Sequence, residues 1–122
     1  MQTILHGRKI EEDDKKQCIL EIVSDKYCRA ILTATMEKPK SATEITAETG
    51  IPISTIYRRL QTLHDNKLVR ISGSINEDGK KYFLYKSKVK AISTNFNVDF
   101  IEIEIVPNKS DQSLENHVSQ YA

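Results

Sequence analysis

Apolar residues in the middle of the chain recur at helical spacing in two short blocks, which are separated by a turn signal. Ser41 precedes Glu44 by the spacing of a capping box, and Gly50 supplies the unrestricted backbone that ends a short helix. Pro52 suits the start of a second helix over residues 52–66, because it lacks an amide hydrogen. The apolar face of that second helix consists of Ile56, Leu60 and Leu63. The pattern therefore predicts two helices joined by a tight turn.

The residues before this pair of helices predict one or two more. An acidic run at residues 11–14 favours a helix N-terminus. Two apolar stripes follow at helical spacing, the first formed by Cys18, Ile19, Ile22 and Val23 and the second by Tyr27, Cys28, Ile31, Leu32 and Met36. Ser24 and Asp25 lie between the stripes and can either interrupt a helix or cap a new one. The pattern leaves open whether the two helices are continuous.

After residue 67 the apolar period changes to that of strands. Val69 and Ile71 alternate with polar residues, and residues 76–79 (Asn-Glu-Asp-Gly) are turn formers. Residues 80–85 are rich in aromatic and apolar side chains, so 68–86 predicts a β-hairpin. Its aromatic residues, Tyr82, Phe83 and Tyr85, are expected to form the core of the hairpin and to support it, the alternative being base stacking.

A second hairpin is predicted near the C-terminus. Ile101, Ile103 and Ile105 alternate with two glutamates, residues 89–96 form a plausible partner strand, and residues 97–99 form the turn. Because an isolated hairpin is marginally stable in water, the isoleucine face must pack on the domain or on a second subunit.

The outward face of the helix at 52–66 carries short hydroxyls, an aromatic residue and two arginines. Small side chains permit close approach to a DNA major groove, and arginine can reach guanine edges or phosphate. The candidate DNA-contacting residues on this helix are Ile53, Ser54, Thr55, Tyr57, Arg58, Arg59 and Gln61. The alternative is that this face is merely a solvated surface.

Residues 53–69, ISTIYRRLQTLHDNKLV, resemble the recognition helix and following strand of ArsR and MarR type winged helix-turn-helix regulators. Those typically read S-T-V-S-R-H-L-x-x-L-x-x-x-G-L-V. The resemblance covers about residues 20–86. This chain departs from the pattern at Lys67, where the family usually has glycine, and Asn66 suits a left-handed helix end better than lysine. The turn is therefore expected to shift by one residue.

The same resemblance implies that the hairpin at 68–86 is a wing. Lys80, Lys81 and Lys86 would then lie along the DNA backbone or minor groove, while the acidic tip would repel phosphate. Lysines near a hairpin turn are also common solubilising residues, which is the competing interpretation.

Charge is distributed unevenly along the chain, although its net value is only +1. Residues 40–90 contain ten basic and five acidic residues, whereas residues 91–122 contain one basic and five acidic. A basic centre favours a polyanion-binding face in the middle of the chain. Because there is no long apolar stretch and no signal-peptide core, we expect a cytoplasmic protein with no membrane partner, in which Cys18 and Cys28 remain reduced.

The residue types that bind metals or perform catalysis lack the required spacing. Cys18, Cys28 and the histidines His6, His64 and His117 form no C-x-x-C or H-x-x-x-H pair. Some ArsR relatives are metal sensors, but residues 44–50, where the family's cysteine pair falls, contain no thiol or imidazole. There is no glycine-rich phosphate loop and no nucleophile elbow. We therefore expect no metal, no cofactor and no enzymatic activity.

The predicted fold is α+β, a winged helix-turn-helix with three to four helices, a β-wing and a C-terminal β-hairpin extension. The predicted organisation is a flexible arm at 1–10, the domain at 11–87, the hairpin at 88–107 and a flexible tail at 108–122. The hairpin is a candidate dimerisation element, and the N-terminal helix within residues 11–36 is the competing interface.

The expected function is that of a sequence-specific transcriptional regulator that binds double-stranded DNA as a homodimer. The helix at 52–66 would lie in the major groove, and the wing at 68–86 would lie on the flanking backbone. The alternative is a winged-helix module that docks on a protein of the transcription machinery without specific DNA binding.

Overall fold

The computed structural model describes residues 7–109. The elements in this range are β1 (Arg8–Lys9), α1 (Asp13–Ser24), α2 (Lys26–Ala34), α3 (Ala42–Thr49), α4 (Ile53–Asp65), β2 (Val69–Ile75), β3 (Lys81–Ser87), β4 (Val89–Phe96) and β5 (Ile101–Pro107). Strands β2 and β3 form one antiparallel hairpin, and β1, β5 and β4 form a second antiparallel sheet in that order. No helix within the described range is long and apolar enough to cross a membrane.

The first two helices are separate, which the sequence pattern left open. Asp25 ends α1 by donating its backbone N–H to the carbonyl of Ile22, at 3.1 Å. Its carboxylate then caps α2 by accepting from the backbone N–H of Cys28, at 2.8 Å. A single residue thus gives one hydrogen bond to the end of α1 and one to the start of α2.

The predicted turn between α3 and α4 is confirmed in detail. Ser41 Oγ accepts from the backbone N–H of Glu44 at 3.1 Å, and the Glu44 carboxylate accepts from the backbone N–H of Ser41 at 3.0 Å. Gly50 has a φ of 78°, the left-handed conformation that ends α3, and Pro52 is the residue before the first turn of α4. These local signals fix where both helices begin and where α3 ends.

The end of α4 differs from the expected one-residue shift. Lys67 itself adopts the left-handed conformation, with a φ of 62°, whereas Asn66 has a φ of −96°. The backbone N–H of Leu68 bonds to the carbonyl of Leu63 and that of Lys67 bonds to the carbonyl of His64, both at 2.9 Å. This is the Schellman pattern, and it holds its register although the left-handed position carries lysine.

Lys67→Gly is therefore expected to stabilise the protein by about 1 kcal/mol. The substitution relieves the backbone strain of a lysine at positive φ, and this gain exceeds the entropic cost of ordering glycine on folding. The midpoint of urea unfolding would measure the change. Asn66→Gly is the matched control and should destabilise the protein. It removes the hydrogen bond from Asn66 Nδ2 to the Thr62 carbonyl, and the negative φ of Asn66 leaves no strain for glycine to relieve. Lower stability in Lys67→Gly would mean that the lysine side chain makes a contact worth more than the strain.

The core joins the helices to the second sheet. The predicted inner face of α4 is buried, together with α2 and α3 residues and Leu68. Ile103 and Ile105 of β5 belong to the same core and are 1% and 6% exposed. Ile103 and Ile105 therefore pack on their own domain and leave little surface to share with a second subunit, whereas Ile101 is half-buried. Whether the hairpin dimerises through its other surfaces remains a prediction.

The ends of the described range are more ordered than the sequence indicated. Arg8 and Lys9, expected in a flexible arm at 1–10, pair with β5. Strand addition uses backbone groups, so it leaves little signal in side chains. Gly7 fits closely there, because a Cβ would lie 2.5 Å from Glu104 Cγ. Asn108, expected in a frayed tail, is buried and donates Nδ2 to the carbonyls of Met36 and Ser87. Residues 1–6 and 110–122, with the rest of the expected arm and tail, lie outside the described residues.

Both predicted hairpins are confirmed. In the first, which we call the wing (residues 69–87), the register runs from Val69 opposite Ser87 to Ile75 opposite Lys81. In the second, Asn97 and Phe100 exchange backbone hydrogen bonds across the turn. The protein is an α+β winged helix-turn-helix with a C-terminal β-hairpin.

Candidate nucleic-acid interface

The outer face of α4 lies at the surface, as the sequence predicted. Because Ile56, Leu60 and Leu63 are fully buried, helical geometry turns the remaining positions outward. Tyr57 is 54% exposed. The other exposed candidates are Ile53, Ser54, Arg58 and Gln61, and Thr55 is half-buried. That these residues contact DNA remains a prediction.

Arg58 is the exposed arginine of this face. It has no ion-pair partner among residues 7–109, and its backbone carbonyl accepts from Thr62 Oγ1 within the helix. The guanidinium is therefore available for a carboxylate, a phosphate or a base edge presented from outside.

Arg59 is directed elsewhere, although the sequence grouped it with the DNA contacts. Its Nε donates to Asp25 Oδ2 at 2.9 Å and its guanidinium lies 5.7 Å from the centre of the Tyr27 ring. Successive residues on a helix point about 100° apart, so Arg59 leaves the face that Arg58 occupies. It connects α4 to the α1–α2 junction, which makes it a positioning residue for the helix.

The Asp25 carboxylate accepts hydrogen bonds from Cys28 and from the guanidinium of Arg59. Burial opposes its ionisation, but hydrogen bonds from Cys28 and Arg59 outweigh burial and lower the pKa of Asp25. Burial, together with the neighbouring Asp25, raises the pKa of the Cys28 thiol to about 12. The thiol is thus kept protonated at neutral pH and is a poor nucleophile or metal ligand.

The wing carries two of its three candidate lysines at the surface. Lys80 and Lys81 are exposed, and Lys81 Nζ lies 5.5 Å from the centre of the Phe83 ring. Lys86 is buried, at 4% exposed, and donates to the carbonyl of Glu37 at 2.6 Å. The expected contact of Lys86 with DNA is therefore wrong, because its strand position points toward the end of α2.

The wing is fixed next to α4 at its base. The backbone groups of Tyr85 and Lys40 exchange hydrogen bonds of 2.8 and 3.0 Å, which anchors β3 to the segment before α3. Burial and the nearby Tyr57 raise the pKa of the Tyr85 phenol. Helix α4 also contacts the wing through strand β2.

The outer half of the wing is less packed than predicted. Tyr85 is buried, but Phe83 is 49% and Ile75 71% exposed, and Tyr82 and Ile71 are also exposed. By register, Ile71, Ile75 and Phe83 lie on the same face. The wing is a sheet of two strands, and these side chains lie beyond its bridge to Lys40, so little of the domain covers them.

The basic charge of residues 40–90 is only partly available at this surface. Lys40 pairs with Glu48 at 2.6 Å, Arg59 pairs with Asp25, and Lys86 is buried. The exposed cations at predicted contact positions are Arg58, Lys80 and Lys81. Counting basic residues along the sequence therefore overestimated how many of them are available to a polyanion.

Metal-binding residues do not cluster within residues 7–109. No group of three or more histidine, cysteine or acidic residues there could hold a metal ion. Exposed Cys18 and buried Cys28 line the same cavity between α1, α2 and α4. The absence of a metal requirement remains a prediction.

A match to a protein-family model supports the helix-turn-helix assignment. Residues 23–71 match the family model described as "Helix-turn-helix domain". A solved structure of an ArsR family transcriptional regulator is similar at 11% identity and a TM-score of 0.44, over 91% of this chain and 90% of that one. No curated protein matches the chain. The matched segment runs from the end of α1 into β2 and so includes the whole of α3, the turn and α4.

Proposed function

We propose that this winged helix-turn-helix protein is a transcriptional regulator that binds double-stranded DNA sequence-specifically as a homodimer. Helix α4 enters the major groove, and the wing lies on the flanking backbone. Ser54, Thr55 and Tyr57 approach the groove with Arg58 and Gln61, while Lys80 and Lys81 contact phosphates.

The observation that carries this proposal is the exposed face of α4. A helix whose inner side is wholly buried in the core presents small hydroxyls, an aromatic side chain and an exposed arginine on a rigid surface. A helix held by its buried side favours base reading, because its backbone does not have to be ordered on binding. The wing adds two further exposed cations, Lys80 and Lys81.

Salt dependence is the first test. If Arg58 contacts phosphate as Lys80 and Lys81 do, a dimer makes about six phosphate contacts and a monomer about three, so log Kd against log salt should have a slope near 5 or near 3. Between about 50 and 200 mM salt, affinity should fall about a thousandfold for a dimer and about fortyfold for a monomer. Fluorescence anisotropy on pooled genomic duplexes would measure the slope and so distinguish a dimer from a monomer. Absence of binding at low salt would refute the DNA proposal.

A second candidate function is docking on another protein. The exposed apolar residues of the wing, Ile71, Ile75 and Phe83, favour it, because such side chains are more typical of protein contacts than of phosphate contacts. Phe83→Ser with Ile75→Ser separates the two functions. A docking module would lose its partner and show no duplex affinity at any salt concentration, whereas a DNA-binding protein would retain duplex binding.

A further inference from the structure

A groove separate from the α4 surface runs between the α1–α2 pair and β4. It has a volume of about 320 Å³ and is open to solvent on one side. Its apolar walls include Ile22, Leu32, Met36, Val89 and Ile92. Small-molecule sites in proteins range from about 300 to 1,000 Å³ and are mostly apolar with a few polar groups. The groove is large enough for a compact ligand.

Two cations, Arg29 of α2 and Lys90 of β4, are the charged residues that line the groove. Arg29 is fixed there, because its Nη1 donates to the Val23 carbonyl at 2.6 Å. Within residues 7–109 neither cation has an ion-pair partner, and no acidic side chain lines the groove. An apolar surface between two such cations complements a ligand with an apolar body and a single anionic group.

We propose that this groove binds a small anionic amphiphile. The aromatic or aliphatic body of the ligand lies on Leu32, Met36 and Ile92, and its carboxylate or sulfonate lies between Arg29 and Lys90. Burial of the body supplies affinity, and the two cations select an anion over a neutral ligand of the same shape.

The groove is also placed to influence α4, and this consequence rests on the proposed function. Its walls include Ile22 and Val23 at the end of α1 and Arg29 in α2, on either side of the junction residue Asp25. Asp25 holds Arg59 of α4 through its carboxylate. A ligand that shifts the α1–α2 pair relative to β4 would therefore move the anchor of the DNA-reading helix. Such a ligand alters DNA affinity only to the extent that its own affinity differs between the shifted and the unshifted positions of the α1–α2 pair.

The test compares two fluorescent probes on the full chain, 1-anilinonaphthalene-8-sulfonate and its uncharged analogue N-phenyl-1-naphthylamine. The sulfonate probe should bind saturably, at one site per chain and at least about tenfold more tightly than the neutral probe. Arg29→Gln with Lys90→Gln, both at exposed positions, should weaken the sulfonate about tenfold and leave the neutral probe unchanged. Equal binding of both probes, or an unchanged sulfonate affinity in the double variant, overturns the proposal.

Two further variants locate the bound probe. Ala91→Trp fills the groove and should abolish saturable binding, whereas Val98→Ser at the exposed tip of the second hairpin should not affect it. The groove would instead be occupied by a second copy of the chain if two results were found together. The parent chain would be a dimer with no saturable probe site, and Ala91→Trp would sediment as a monomer. Probe binding is measured without DNA, so failure of the DNA proposal leaves this result standing. If the probe binds at a saturable site but its binding leaves DNA affinity unchanged, only the coupling of the groove to α4 is refuted.

Discussion

Replacement of Ile103 by aspartate is expected to prevent folding at 25 °C. Ile103 is 1% exposed and lies in the core, on the middle strand of the second sheet, which contacts α1. Loss of its apolar burial costs about 1.5–3 kcal/mol, and burial of a carboxylate without a partner costs several kcal/mol more. Domains of this size have a total stability of about 5–15 kcal/mol. Circular dichroism and sedimentation of the purified variant would measure the loss of structure.

Thr94→Asp is the matched control, because Thr94 is the direct partner of Ile103 across β4 and β5 but is exposed. Thr94→Asp introduces the same charge at the same cross-strand pair and should change the free energy of unfolding by no more than about 0.5 kcal/mol. A folded Ile103→Asp protein with a smaller sedimentation coefficient than the parent would instead place this isoleucine at a subunit contact.

The sequence predicted the features that short-range chemistry determines. The capping box at Ser41, the left-handed Gly50 and the turn at residues 76–79 depend on residues within five positions of one another. The alternating isoleucines of β5 were recognisable as a half-buried strand because the period of a strand is two. The pattern gave the buried face of that strand, but it could not show whether the covering surface belonged to the same chain.

The sequence did not predict the contacts that join distant segments. Arg59 and Asp25 are 34 positions apart, and Lys86 and Glu37 are 49 apart. Both basic residues fall within the basic stretch at 40–90, so charge counting assigned them to the same surface as the exposed cations. The left-handed Lys67 has a different cause, because propensity favoured Asn66 while the buried contacts of Leu63 and Leu68 fixed the register of the turn.

The two adjacent arginines of α4 should separate DNA reading from helix positioning. Arg59→Ala removes the bond to Asp25, so it should lower the free energy of unfolding by about 0.5–1 kcal/mol, a value limited by the partial exposure of the pair. Asp25 would still cap α2 through Cys28. Arg59→Ala should lower DNA affinity less than Arg58→Ala does, because Arg59 acts only through the orientation of α4.

Arg58→Ala should change the free energy of unfolding by less than about 0.5 kcal/mol, because Arg58 is exposed and has no ion-pair partner within residues 7–109. If Arg58 reads a guanine edge, affinity for the preferred duplex should fall by about 1–3 kcal/mol and discrimination at one base pair should relax. If it binds phosphate alone, affinity should fall similarly on all duplexes, and the salt slope should decrease by about one for each phosphate that the variant no longer neutralises. Anisotropy titrations of both variants on matched and mismatched duplexes distinguish these outcomes. Unchanged affinity in a normally melting Arg58→Ala protein would show that α4 does not face DNA, and docking on another protein would become the better explanation of this surface.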